Sequence, residues 1–268
     1  MSFPPNSWPE PGTAPEPLPL PSPPPLDENP IWTGIDLLQM IGVIVATMAV
    51  VPLAIIVLAH FTIYKGIPLT EIVKIPDVVL IAQLLIYAVV FAVMRRLARV
   101  RGGRFWEAVR WNWPQTSWGV FLFLGVGLYF VLIGLGQFLP IPKHLPIDRF
   151  FQTAREAGIM SVIAITLAPL MEELFFRGFL YPVLARRLGK VVAILLTSAL
   201  FGLLHGAQLG YSWAVLIIFL VGIALTTVRA VTKSVASSFL VHVGYNATLS
   251  ALLFVATSGF RHLERLNQ

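Results

Sequence analysis

The 268-residue chain is 57% hydrophobic and only 12% charged, with a mean hydropathy of +0.80, far beyond ordinary soluble proteins. Its length would allow two soluble domains, but its long apolar runs favour one membrane domain. The net charge of +6 comes from arginines flanking those runs, so it reads as membrane-orienting charge and no nucleic-acid partner is expected; the lack of cysteine removes disulfides, thiol nucleophiles and thiolate ligands.

Residues 1–34 hold 12 of the 21 prolines, in runs such as Pro23-Pro24-Pro25. Such a segment lacks backbone donors and apolar periodicity, and predicts an extended, disordered polyproline-like tail. It has no Lys or Arg and no apolar stretch, so it does not read as a signal peptide.

Residues 35–268 predict an all-α, polytopic transmembrane helical bundle. About seven spans are expected (six to eight), at roughly 35–63, 77–94, 117–139, 158–185, 190–206, 213–229 and 234–257, each near the ~20 residues needed to cross a bilayer. The first span is long and carries Pro52, which predicts tilting, kinking or an interfacial portion. An arginine cluster from Arg95 to Arg110, interleaved with Trp106, Trp111 and Trp113, suits a membrane interface. Loops on that side of a seven-span protein carry more Lys and Arg than the opposite loops, so that side is expected to be cytoplasmic.

The chemistry-bearing residues lie between 158 and 257. Glu172, Glu173, Arg177, His205 and His242 sit inside apolar runs, with Asn246 one turn after His242. Ionisable groups inside membrane segments are costly and usually face a protein interior or a wet cavity. Glu173 and Arg177 are four apart with the acid first, the better orientation for an ion pair, and predict a structural pair that fixes the helix's rotation. Adjacent helical residues point ~100° apart, so Glu172 must do something else; a carboxylate without a local counter-ion is a candidate general base. Glu172 lies 16 residues before position 188 and His205 lies 17 after it. On an antiparallel pair turning at Arg186, Arg187 and Lys190, the two meet at one depth, roughly 25 Å from the turn and close beneath the opposite surface. The mouth of the site is therefore expected to face outward. His242 and Asn246 present an imidazole and an amide from one helix face, a donor pair for an oxyanion. His60, His144 and His262 read as interfacial, and Asp36 and Asp77 sit at span starts without a partner motif.

The pattern Glu172-Glu173-x-x-x-Arg177, then Phe201-x-x-x-His205, then His242-x-x-x-Asn246, resembles the CAAX prenyl protease and bacteriocin-processing intramembrane proteases, which include the type II, Ras-converting CAAX endopeptidases. The resemblance implies a membrane endopeptidase acting near the terminus of a membrane-anchored protein or peptide, of which prenylated CAAX proteins are the best-known case. It implies catalytic Glu172 and His205 activating a water, with His242 and Asn246 stabilising the oxyanion. It also implies an integral, multi-pass location, expected to be a bacterial inner membrane. Members are often classed as metalloproteases; no His-Glu-x-x-His motif is present, but Glu172, His205 and His242 could hold a zinc with an open position. The alternatives are a proton-coupled transporter, whose Glu and His would relay protons, and an inactive scaffold or immunity protein on the same fold.

Overall fold

In the computed structural model, which describes residues 30–115 and 117–264, every regular element is helical. Residues 1–29 of the expected tail lie outside the described part. Helix α1 (Gly34–Thr62) runs unbroken through Pro52; Thr33 and Asp36 close a capping box at its start, each accepting from the other's main-chain N–H. Asp36 gains a partner from a distant segment: Arg101 Nε and Nη2 grip its carboxylate at 3.0 and 2.9 Å. Asp77 likewise pairs with Arg155 at 3.2 Å.

A short helix α2 (Leu69–Ile72) leads into α3 (Pro76–Val100), which packs against α1. After α4 (Phe105–Ala108), the rings of Trp106, Trp111, Trp113 and Trp118 follow one another at centroid spacings of 5.6, 5.7 and 5.2 Å. Three of these four are about half exposed, as an interfacial belt requires. Helix α5 (Trp118–Gly136) crosses α11 (Val235–Ala256) at very short range. A Cβ at Gly125 would collide with the Val241 carbonyl, and one at Gly244 with that of Leu122. Small residues permit such backbone contact between membrane helices.

The fourth expected span, read as one helix over 158–185, is a 35-residue helical segment, Ala154–Leu188, with two irregularities. Helix α6 (Ala154–Ile165) ends at Thr166, whose φ of −115° and ψ of −78° are distorted but stay right-handed, and α7 (Leu167–Phe175) begins there. Pro169 accounts for the distortion: its ring crowds the carbonyl four residues earlier, which disrupts a helix interior but is tolerated in a first turn. A π-turn (Phe176–Leu180) then separates α7 from α8 (Tyr181–Leu188). Gly189, with φ of +78°, reverses the chain into α9 (Lys190–Leu204); α10 (Ala214–Thr232) and α11 complete the bundle.

Among the described residues, six helical segments are long and apolar enough to cross a membrane, and α9 is a shorter apolar one. Leu195, Leu196, Leu200, Leu203 and Leu204 stand exposed along α9, as lipid contact would have it. The protein is an integral, multi-pass membrane protein. Among the described residues, two larger buried clusters and two smaller ones form its core. One larger cluster joins Trp32, Met40, Met94, Leu174 and Phe179; the other joins Tyr129, Phe176, Phe201, Leu225, Val241 and Tyr245. Helix α7 and the π-turn contribute to both, which fixes their orientation between them.

Candidate active site

The two glutamates part company as their helical offset requires. Glu173 is fully buried and Glu172 retains 18% side-chain exposure, enough for solvent or a substrate to reach it. Glu173 meets Arg177 at 2.8 Å, with both side chains at 0% exposure. The guanidinium is held on its far side by α10: Nε donates to Thr226 Oγ1 and Nη2 to the Gly222 carbonyl, both at 3.2 Å. Its flat face lies over the Phe201 ring, 4.5 Å from the centroid.

Glu173 does more than neutralise Arg177. Its Oε2 accepts from the Ser238 hydroxyl at 2.6 Å, and its Oε1 lies 2.9 Å from His242 Nδ1. A carboxylate only accepts, so Nδ1 of His242 carries a hydrogen and Nε2 is turned the other way. There it faces Glu172 Oε2 at 3.8 Å. His205, the cap residue ending α9, is set by the same rule: its Nδ1 donates to the Phe201 carbonyl at 2.9 Å, and its Nε2 faces Glu172 Oε1 at 3.8 Å. Each oxygen of Glu172 is therefore confronted by one imidazole Nε2. Neutral imidazoles would place two acceptors against an acceptor, an arrangement that calls for a shared donor. At 3.8 Å the groups are too far apart for a direct bond, and a water that reaches both must sit off the line between them.

The structure thus brings Glu172, His205 and His242 together at one depth, with Glu173 and Arg177 behind them. Asn246 lies one turn after His242 on α11, and one of its amide hydrogens goes to the Ala164 carbonyl at 2.6 Å, near the end of α6. The Asn amide has two N–H bonds, so one remains. His60 and His262 make only local bonds, to the Ile67 carbonyl and to Glu264.

Glu172 stands 3.8 Å from each imidazole Nε2, a wider spacing than zinc ligands take. Ligands on one tetrahedral zinc at ~2.0–2.1 Å would stand about 3.3 Å apart, closer than these groups. Among the described residues no set of three or more His, Asp or Glu side chains is placed to hold a metal ion.

Sequence reasoning missed Ser238, Thr226 and Gly222. The signal was present: Ser238, His242 and Asn246 recur every fourth residue on α11, and Gly222 and Thr226 do so on α10.

The shared depth of Glu172 and His205 puts the site at the far end of α9 from the turn at Lys190. Lys190 and Gln208 are both exposed and bracket that helix. With single cysteines placed there and an impermeant maleimide applied to intact cells, labelling at 208 and not at 190 is expected; the reverse would turn the mouth to the cytosol.

Residues 154–248 match the model of the family described as type II CAAX prenyl endopeptidase, Rce1-like, an interval that contains all six of these residues. No curated protein and no solved structure matches the chain.

Proposed function

We propose that this chain, a member of the type II CAAX prenyl endopeptidase Rce1-like family through residues 154–248, is an endopeptidase working inside the membrane. Its substrate would be a membrane-anchored protein or peptide, including the prenylated CAAX type, cut near a terminus. The observation that carries this reading is the pair of imidazole Nε2 atoms, each 3.8 Å from one oxygen of a partly exposed Glu172.

The chemistry runs through these residues as follows. A water sits between Glu172 and His205, donating one hydrogen bond to each. As its oxygen attacks the scissile carbonyl, Glu172 takes a proton, and the carbonyl oxygen becomes an oxyanion. His242 donates to that oxyanion through Nε2, which requires its imidazolium form; Glu173 on Nδ1 supplies the counter-charge. The remaining Asn246 N–H is the second donor. Collapse of the tetrahedral intermediate breaks the C–N bond, and the proton held by Glu172 goes to the leaving amine. Burial in protein strengthens each fixed donor, because little solvent competes for the developing charge. Residence in a bacterial inner membrane, with the mouth outward, belongs to the same reading.

Purified protein incubated with a membrane-anchored peptide tests this. Cleavage is expected to survive exhaustive chelation, with well under one zinc per chain by elemental analysis. Loss of activity on chelation, restored by adding zinc, would replace the Glu172–His205 water with a metal-bound one.

A further inference from the structure

The turn carrying Arg177 is held from behind by a residue outside the matched segment. In a regular helix the Gly178 carbonyl would accept from the amide of residue 182, but residue 182 is proline. Proline has no N–H, and its ring crowds that carbonyl. The helix widens into the π-turn Phe176–Leu180, in which the Tyr181 amide bonds back to the Phe176 carbonyl. Gly178 is itself buried, so its carbonyl needs a protein donor. Trp32 supplies one: its indole Nε1 donates to the Gly178 carbonyl at 3.2 Å across 146 residues of sequence. The indole is 1% exposed and leans on Phe179, centroid to centroid 4.8 Å. Trp32 falls within the stretch that composition assigns to the tail, yet it is among the most deeply buried side chains of the described structure.

We propose that Trp32 is a positioning residue of the active site, its indole N–H fixing the π-turn that registers Arg177 against Glu173 and Glu173 against His242. The route is continuous. Gly178 follows Arg177 in the turn, Arg177 Nη1 lies 2.8 Å from Glu173 Oε1, and that oxygen lies 2.9 Å from His242 Nδ1. An indole that slips from Gly178 lets the turn relax, and the imidazole that meets the oxyanion loses its alignment. The catalytic consequence rests on the endopeptidase reading; the bond and the turn do not.

Two full-length variants separate positioning from packing. Trp32→Phe keeps a ring and removes the donor, whereas Phe179→Leu removes the ring contact and keeps the donor. Amide hydrogen exchange over 176–188 in detergent reads the turn without any substrate. Trp32→Phe is expected to raise exchange there and to lower kcat by roughly 10- to 100-fold through misalignment. KM should stay within about twofold, because ground-state binding is untouched. Phe179→Leu should leave kcat within about twofold of wild type by the same logic. Pro182→Ala restores a main-chain donor to Gly178, so in that background Trp32→Phe should lose its effect. Unchanged exchange or kcat in Trp32→Phe, or an equal kcat loss in Phe179→Leu, would overturn the proposal. Should Trp32→Phe fail to accumulate, the double variant with Pro182→Ala decides: recovery supports the bond to Gly178, and continued failure overturns it. Wild-type protein that cleaves no anchored peptide would refute the endopeptidase reading, and exchange alone would then judge the role of Trp32.

Discussion

Glu172→Gln is expected to lower peptide cleavage by on the order of 10²–10⁴-fold, the usual weight of general acid–base catalysis, while leaving the fold intact. Glutamine keeps the size and polarity of the side chain, but it cannot take a proton from water. The surroundings make the substitution mild in structural terms. Glu172 has 18% of its side chain exposed and faces the Nε2 atoms of His205 and His242 at 3.8 Å, beyond direct hydrogen-bond reach. Melting behaviour and yield in detergent should therefore match wild type. A Gln variant that cleaves at near wild-type rate would remove Glu172 from the mechanism, and one that fails to fold would make it a structural residue.

Glu173→Ala should do the opposite, with the larger effect on stability. It strands an Arg177 guanidinium that is fully buried and leaves Nδ1 of His242 without its acceptor, while the Ser238 hydroxyl falls back on the Leu225 carbonyl at 2.9 Å. Removing one partner of a buried ion pair costs about 3–5 kcal/mol, because the remaining charge cannot return to water. The expected result is a marked drop in melting temperature and yield, far beyond that of Glu172→Ala. Any protein recovered should also cleave poorly, since His242 loses the carboxylate that orients it. Equal melting temperatures for the two alanine variants would contradict the division of labour between adjacent glutamates.

Much of this site was legible in the chain because helical geometry is rigid. A fixed rise per residue placed Glu172 and His205 level from the turn at Lys190, and the fourfold spacing put Glu173 beside Arg177. The family match over residues 154–248 covers the same stretch. Less legible were the two irregularities in the 154–188 segment. Pro169 and Pro182 each have a definite steric effect, but whether a proline kinks, ends or widens a helix depends on what can satisfy the freed carbonyl. For the Gly178 carbonyl that group is an indole 146 residues away, beyond any local pattern. The same limitation hid the partners of Asp36 and Asp77, which come from Arg101 and Arg155. Glu173 was read through its near neighbour alone; its contacts to Ser238 and His242 cross from α11 and became visible only when the helices were packed together.

The central claim, that Glu172 drives hydrolysis of a membrane-anchored protein, is tested most directly by comparing protein termini in membranes from three strains: one lacking the protein, one carrying wild type, and one carrying Glu172→Gln at equal abundance. New termini on one or a few membrane-associated proteins should appear with wild type alone. Identical sets of termini in the wild-type and Glu172→Gln membranes would contradict it.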